Sequence, residues 1–177
     1  FNYKPELAKK NALINLPYVI TPSGAVVTQS GAVLRTIGRS LGLMGSDDAT
    51  ADAIDQILEQ TMDLRNGAVG QFYGGGKTDE EYLGSHVKGN FSKFEGWFAQ
   101  RGTAYTCGDA VTAGDFHLWE MIDQHIKIFP LMDTTAEYPL IAAFHARFKA
   151  LPELQEYFGS DAYKLGCNNS MAKSDPQ

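Results

Sequence analysis

Two short constellations in this chain combine residue types that could hold a ligand, and a third specifies a helix start. Asn15-Leu16-Pro17-Tyr18 puts a proline at the entry to an apolar run, a place where a cis peptide bond occurs. A cis bond at Pro17 would turn the Leu16 backbone outward and leave its N–H and C=O to pair with another backbone. Thr28-Gln29-Ser30 closes one apolar run and opens a helical pattern. Ser30 is a good N-cap residue, and the open N–H groups at the positive end of a helix suit a carboxylate. Thr112-Ala113-Gly114-Asp115 reads as a capping box. The Thr112 side chain accepts from the Asp115 N–H, and the Asp115 carboxylate reaches back to the N–H of Thr112. Each feature alone is common; their order along the chain is the specific part.

Other signals point to structure instead of chemistry. Gly76-Lys77-Thr78 has the end of a phosphate-binding loop, but Gln71 stands where the motif needs its first glycine. It also follows a helical pattern, not a strand, so it reads as a helix stop and turn. His86, His117, His125 and His145 are never three or four positions apart. No two share a helical face, and no metal site is expected from them. Cys107 has no basic neighbour in sequence and reads as an ordinary thiol. Trp97 and Trp119 sit on helical stripes and read as packing.

The elements that would position these residues follow from periodicity. Residues 18–20 and 25–28 are short apolar runs around Thr21-Pro22-Ser23-Gly24, which is turn chemistry, so they predict a β-hairpin. A lone hairpin is marginal in water, so this one is expected to be the end of a sheet whose other strands precede Phe1. Everything later is helical. Ala32, Val33, Ile37 and Leu41 give one helix; Ile54, Ile57, Leu58, Thr61 and Met62 give another running to about Tyr73. Gly67 and Gly70 mark a bend or a close approach in it, and the run Gly74-Gly75-Gly76 ends it. Val87, Phe91, Phe94 and Phe98 form a stripe. The pattern from about Ala113 to Phe129 is apolar on most sides, as befits the middle of a bundle. Pro139 introduces a further stripe from Leu140 to Leu151, and Pro152 a short helix with Leu154, Tyr157 and Phe158. From Asn168 the tail is polar and is expected to be loose.

Composition bounds the function. The 177 residues carry a formal charge of −6, with no clustered Lys and Arg, which argues against nucleic-acid binding. No run of about 18 apolar residues predicts a membrane span. Two cysteines and no secretory leader fit a reducing, cytoplasmic setting.

Taken in order, x-L-P, strand, turn, strand, x-Q-S, helix and a bundle with T-x-x-D, the sequence resembles the glutathione transferases. The similarity runs from about Leu13 to Phe158, and Gln60-Thr61-Met62-Asp63 with Tyr73 is similar to the mu class, within a mu- or sigma-like grouping. The resemblance implies a truncated thioredoxin-like α/β piece over residues 1–45, made of one hairpin plus a helix. An all-α bundle over 46–167 and the loose tail 168–177 would follow. It implies glutathione as co-substrate, a homodimer and a small hydrophobic electrophile. The Leu16 backbone beside Pro17 would pair with the cysteinyl part of glutathione, and Gln29 and Ser30 would hold the γ-glutamyl carboxylate. Asp63 would meet the γ-glutamyl ammonium of the neighbouring subunit's ligand. Lys9 or Lys10 would meet the glycine carboxylate, and Tyr73 would line the electrophile pocket. The family's thiolate-stabilising Tyr or Ser lies at the end of a first strand, which is expected before Phe1, so no catalytic residue is assigned.

Two functions fit this reading. One is a glutathione transferase, conjugating the thiolate to hydrophobic electrophiles or reducing peroxides. The other is a non-catalytic structural or adaptor subunit of a larger assembly that keeps the fold. Gln29, Ser30 and Asp63 together favour the first, because a scaffold needs neither a carboxylate site nor an ammonium partner.

Overall fold

The computed structural model describes residues 3–74, 76–129 and 132–173. A short helix α1 (Lys4–Ala8) leads through a turn to β1 (Tyr18–Ile20) and β2 (Val26–Thr28). These strands pair antiparallel, with Tyr18 opposite Thr28 and Ile20 opposite Val26, and form a two-stranded sheet among the described residues. The turn expected at Thr21–Gly24 closes with Gly24 at positive φ and the Gly24 N–H donating to the Thr21 carbonyl. Leu7, Ile14 and Val26 make the small core of this end.

Helix α2 (Ser30–Ser40) follows directly, and its Leu34 packs with Leu43 and Met44 against Ile54 and Leu58 of α3 (Asp48–Val69). The Asp47 carboxylate accepts from the Thr50 N–H and caps α3. At Gly70 α3 passes into a wide π-turn, Gly70–Gly74, and a second such turn, Leu83–Val87, follows the short α4 (Asp79–Tyr82). The close approach expected at Gly67 is real, since the His86 imidazole lies against it. Gly75, part of the expected glycine stop, lies outside the described residues.

Helices α5 (Lys88–Arg101), α6 (Ala113–Ile128) and α8 (Pro139–Lys149), with the one-turn α7 (Thr134–Glu137), complete the bundle around α3. Its stripes meet as the spacing demands: Phe91, Phe94, Leu118, Ile122, Ile141 and Phe144 are all at or near zero exposure. Helix α6 is the central one and crosses α3 closely. A Cβ on Gly114 would come within 2.9 Å of Ile57 Cγ2, so only glycine lets these backbones meet. A 3₁₀ turn (Pro152–Leu154), α9 (Gln155–Gly159) and α10 (Asp161–Lys164) close the chain.

The tail departs from its expected looseness over Asn168–Lys173. The Tyr73 hydroxyl donates to Asn168 Oδ1 at 3.3 Å, and the Lys173 N–H donates to the Phe72 carbonyl at 2.7 Å. Asn168 and Ala172 are buried, so polar composition here reflects a docked strap and not solvation. No helix among the described residues is long and apolar enough to cross a membrane.

Candidate functional site

The Leu16–Pro17 peptide bond is cis, as its sequence setting suggested. Thr28, buried at the end of β2, fixes this corner: its Oγ1 accepts from the Asn15 N–H at 3.1 Å and donates to the Asn15 carbonyl at 2.8 Å, with the Pro17 carbonyl 3.3 Å away. Asn11 adds a second tie, its Nδ2 donating to the Val26 carbonyl at 2.8 Å. Leu16 stands exposed, and among the described residues no hydrogen bond engages its backbone. A peptide-like ligand could pair with those groups.

The β1–β2 register places Gln29 and Ser30 beside this corner, one and two residues beyond the Thr28 that pairs with Tyr18. Gln29 has φ 73° and ψ 124°, a conformation open to glycine and costly for a residue with a side chain. Gln29 itself is the N-cap of α2 and Ser30 its first helical residue, so the cap expected at Ser30 falls one position earlier, and no side-chain cap bond forms. An exposed glutamine, a hydroxyl and the first N–H groups of an 11-residue helix therefore lie together at the start of α2, a combination that suits a carboxylate. Neither Thr28 as the tie nor the Gln29 strain is visible in the spacing of apolar residues.

The other residues lie elsewhere. Asp63 is exposed on α3 and lines an open hollow of about 380 Å³ between α3 and α5, with Gln60, Lys93, Phe94 and Trp97 among its walls. Leu16, Gln29 and Ser30 do not line this hollow. No hydrogen bond or ion pair engages the Asp63 carboxylate among the described residues. Lys9, just past α1, spends its ammonium on Glu6 at 2.8 Å in an exposed pair. Tyr73 sits half-buried in the π-turn, its hydroxyl donating to Asn168 and accepting from the Asn169 N–H at 3.3 Å. The strap thus meets Tyr73, the residue expected to line the electrophile pocket.

The cap forms and reaches further than its motif implies. Asp115 has zero exposure; its carboxylate accepts from the Thr112 N–H and hydroxyl and from the Thr106 N–H, each at 2.8 Å. The loop before α6 is thereby folded onto the helix start. Burial pushes the Asp115 carboxyl up, against the pull of those donors. The histidines each have local duties. His125 bridges the Met121 carbonyl and the Tyr82 hydroxyl inside the core, and burial lowers it to about 4. His117 is likewise lowered to about 4 by burial, and its Nδ1 has no hydrogen-bond partner among the described residues. His145 stacks on Trp119 and meets Asp123 at 3.0 Å. Burial raises the half-buried Cys107 thiol, which agrees with an unreactive role.

Comparison with known proteins decides the family. A family model described as glutathione S-transferase, C-terminal domain, matches residues 62–161. The chain belongs to the glutathione S-transferase family. Glutathione S-transferase 2 of Onchocerca volvulus is 32% identical over 155 residues, covering 85% of this chain and 70% of that protein. Human glutathione S-transferase Mu 3 is 32% identical over 168 residues, covering 90% of this chain and 69% of that protein. The chain spans 62% of human glutathione S-transferase P, at 28% identity. Among solved structures, the Onchocerca volvulus Pi-class glutathione S-transferase superposes with a TM-score of 0.74 at 31% identity, covering 84% of this chain and 72% of that one. The glutathione S-transferase Blo t 8 gives 0.78 at 24% identity, over 97% and 82%. The fold is therefore a truncated thioredoxin-like part followed by the helical domain of a glutathione S-transferase.

Proposed function

We propose that this chain binds glutathione and serves conjugation of its thiolate to small hydrophobic electrophiles. The observation that carries the reading is the juxtaposition of two features: the exposed Leu16 with its unengaged backbone, and Gln29 at positive φ ahead of the open α2 terminus. The first pairs with the cysteinyl backbone and the second takes the γ-glutamyl carboxylate. An extended tripeptide lying between them has its sulfur fixed relative to both ends.

In this reading the protein acts as a cytoplasmic homodimer. Asp63, exposed and unpaired on α3, faces the partner subunit's ligand and meets its γ-glutamyl ammonium. Lys9 exchanges Glu6 for the glycine carboxylate, a small loss because an exposed pair is worth little. Tyr73 and the strap over it wall the electrophile pocket. In conjugation the glutathione sulfur forms a bond to the electrophilic carbon, and the leaving group departs with the electron pair. In peroxide reduction the sulfur attacks a peroxide oxygen and the O–O bond breaks, so the sulfur is oxidised to a sulfenic acid while the peroxide is reduced to an alcohol or water. Thiolate activation is assigned to no residue of this chain.

Retention on immobilised glutathione tests the reading. Wild type should bind and elute with free glutathione, and Asp63→Ala should bind more weakly with an unchanged unfolding midpoint. Equal retention of the two proteins would remove Asp63 from the site. Absence of wild-type retention would overturn glutathione binding and return the adaptor reading to the lead.

A further inference from the structure

Helix α2, which starts at the carboxylate site, and helix α3, which carries Asp63, are joined by one side chain that the sequence reading passed over. Arg35 spreads its guanidinium over three acceptors. Its Nε donates to Asp55 Oδ1 at 2.8 Å, its Nη2 to Glu59 Oε1 at 2.7 Å and its Nη1 to the Gly31 carbonyl at 3.3 Å. Two of these acceptors are on α3, one turn apart, and Asp63 is the next residue at the same spacing. The third acceptor belongs to the first turn of α2, directly after Ser30.

Gly31 fits this arrangement. A Cβ there would stand 3.0 Å from Arg35 Nη1, so a larger residue would push the guanidinium off the first turn. The apolar contacts of Leu34, Leu43 and Met44 with Ile54 and Leu58 already join the two helices. Such contacts are non-directional, whereas a planar fork on three fixed acceptors sets angle and distance. The Arg35 side chain is 21% exposed and its partners Asp55 and Glu59 are 50% and 68% exposed, so the fork is anchored at its guanidinium end and open to solvent at its acceptors.

We propose that Arg35 is a positioning residue for glutathione, clamping the first turn of α2, where Gln29 and Ser30 meet the γ-glutamyl carboxylate, to the face of α3 that carries Asp63. The proposal rests on the glutathione reading of those three residues. Carboxylate and ammonium sit on one carbon of the ligand, so their receptors must keep a fixed separation. In a two-fold dimer each ligand takes its carboxylate site from one subunit and Asp63 from the other. The clamp, acting in both subunits, sets that separation twice.

The test uses the full-length natural protein and two ligands, glutathione and its analogue with the γ-glutamyl amino group removed (glutaryl-Cys-Gly). Wild type should prefer glutathione. In Arg35→Met the affinity for glutathione should fall about tenfold and that for the analogue less than about threefold, so the preference narrows. Arg35→Lys should lie between, because one ammonium cannot span the three acceptors. Equal losses for both ligands would show a merely structural Arg35, and no loss would show an idle one; either overturns the clamp. If Arg35→Met does not fold, the Asp55→Asn, Glu59→Gln pair removes the α3 half of the clamp and must narrow the preference in the same way. A wild type that binds glutathione without preferring it to the analogue would overturn the Asp63 assignment and the clamp together. One with no glutathione affinity would overturn the site reading itself.

Discussion

The hairpin end and the helical bundle solve opposite problems. At the hairpin end a core of Leu7, Ile14 and Val26 supports an exposed Leu16, a backbone left without partners and a glutamine at positive φ. Around α6, aromatic and aliphatic side chains close over Asp115 and His125, whose polar groups are tied inward, and over His117, whose Nδ1 has no hydrogen-bond partner among the described residues. The hairpin end thus leaves backbone hydrogen-bonding capacity exposed, where a ligand could use it, whereas the bundle is built on buried apolar contacts. In the proposed glutathione site the hairpin end would contribute mostly backbone and helix end, and the bundle would add Asp63 and Tyr73.

The largest effect expected is on the bundle alone. His117 and His125 are lowered to about 4 from the ordinary 6.5. The unfolded chain therefore binds more protons between those values. The stability contributed is complete above about pH 6.5 and is lost as the pH falls to about 4, on the order of 3 kcal/mol for each group. Urea midpoints measured from pH 7.5 down to 4 should fall steadily across that window. A flat profile would mean that the two imidazoles are not buried neutral, and the contrast between the regions would weaken.

Next is Asp115→Ala. It strands three buried donors and should cost about 3 kcal/mol, roughly 1 for each bond lost. The Trp97 indole reports on the same loop, because its Nε1–H donates to the Thr106 carbonyl at 2.6 Å. Denaturation followed by tryptophan fluorescence should show the drop, with glutathione retention kept at concentrations where the variant is folded. A loss below about 1 kcal/mol would mean that the loop is held by other contacts.

Much of this was legible in the residues, and what was not has a physical cause. Stripes such as Phe91, Phe94 and Phe98 announce their helix because burial repeats with the helical period. The cap of α6 is local, closed within four residues, so its type and spacing betray it. The Asp115 bond to Thr106 and the Arg35 bonds to Asp55 and Glu59 cross nine, 20 and 24 positions, and no periodicity encodes such pairings. The tail misled because Asn168 is polar, yet it is buried against Tyr73 by a contact 95 positions away. At the site, the order of Leu16, Pro17, Gln29 and Ser30 was readable, whereas the Gln29 strain exists only in three dimensions.

A smaller effect is expected from Thr28→Val, which keeps the shape of the buried side chain and removes its hydroxyl. The Asn15 N–H and carbonyl lose their partner, at a cost of about 1 to 2 kcal/mol. Because Thr28 holds the Pro17 corner beside Gln29, glutathione affinity should fall with it. Unchanged affinity would uncouple the corner from the carboxylate site and break the picture of one site held by polar ties.

The smallest change separates binding from stability most sharply. Gln29 holds φ 73° at a cost that glycine does not bear. Gln29→Gly should therefore raise stability by about 0.5 kcal/mol, the relief of strain being partly offset by the greater freedom of glycine in the unfolded chain. The same substitution removes the side-chain amide from the carboxylate site and should weaken glutathione retention. A residue that destabilises its own region and strengthens binding is what a site end set against a scaffold end requires. Gln29→Ala completes the pair: it loses the amide but keeps the strain, so it should bind as weakly as the glycine variant without the gain in midpoint. If both variants were destabilised alike, the positive φ would be imposed by contacts of the glutamine side chain, and the strain would have no part in recognition.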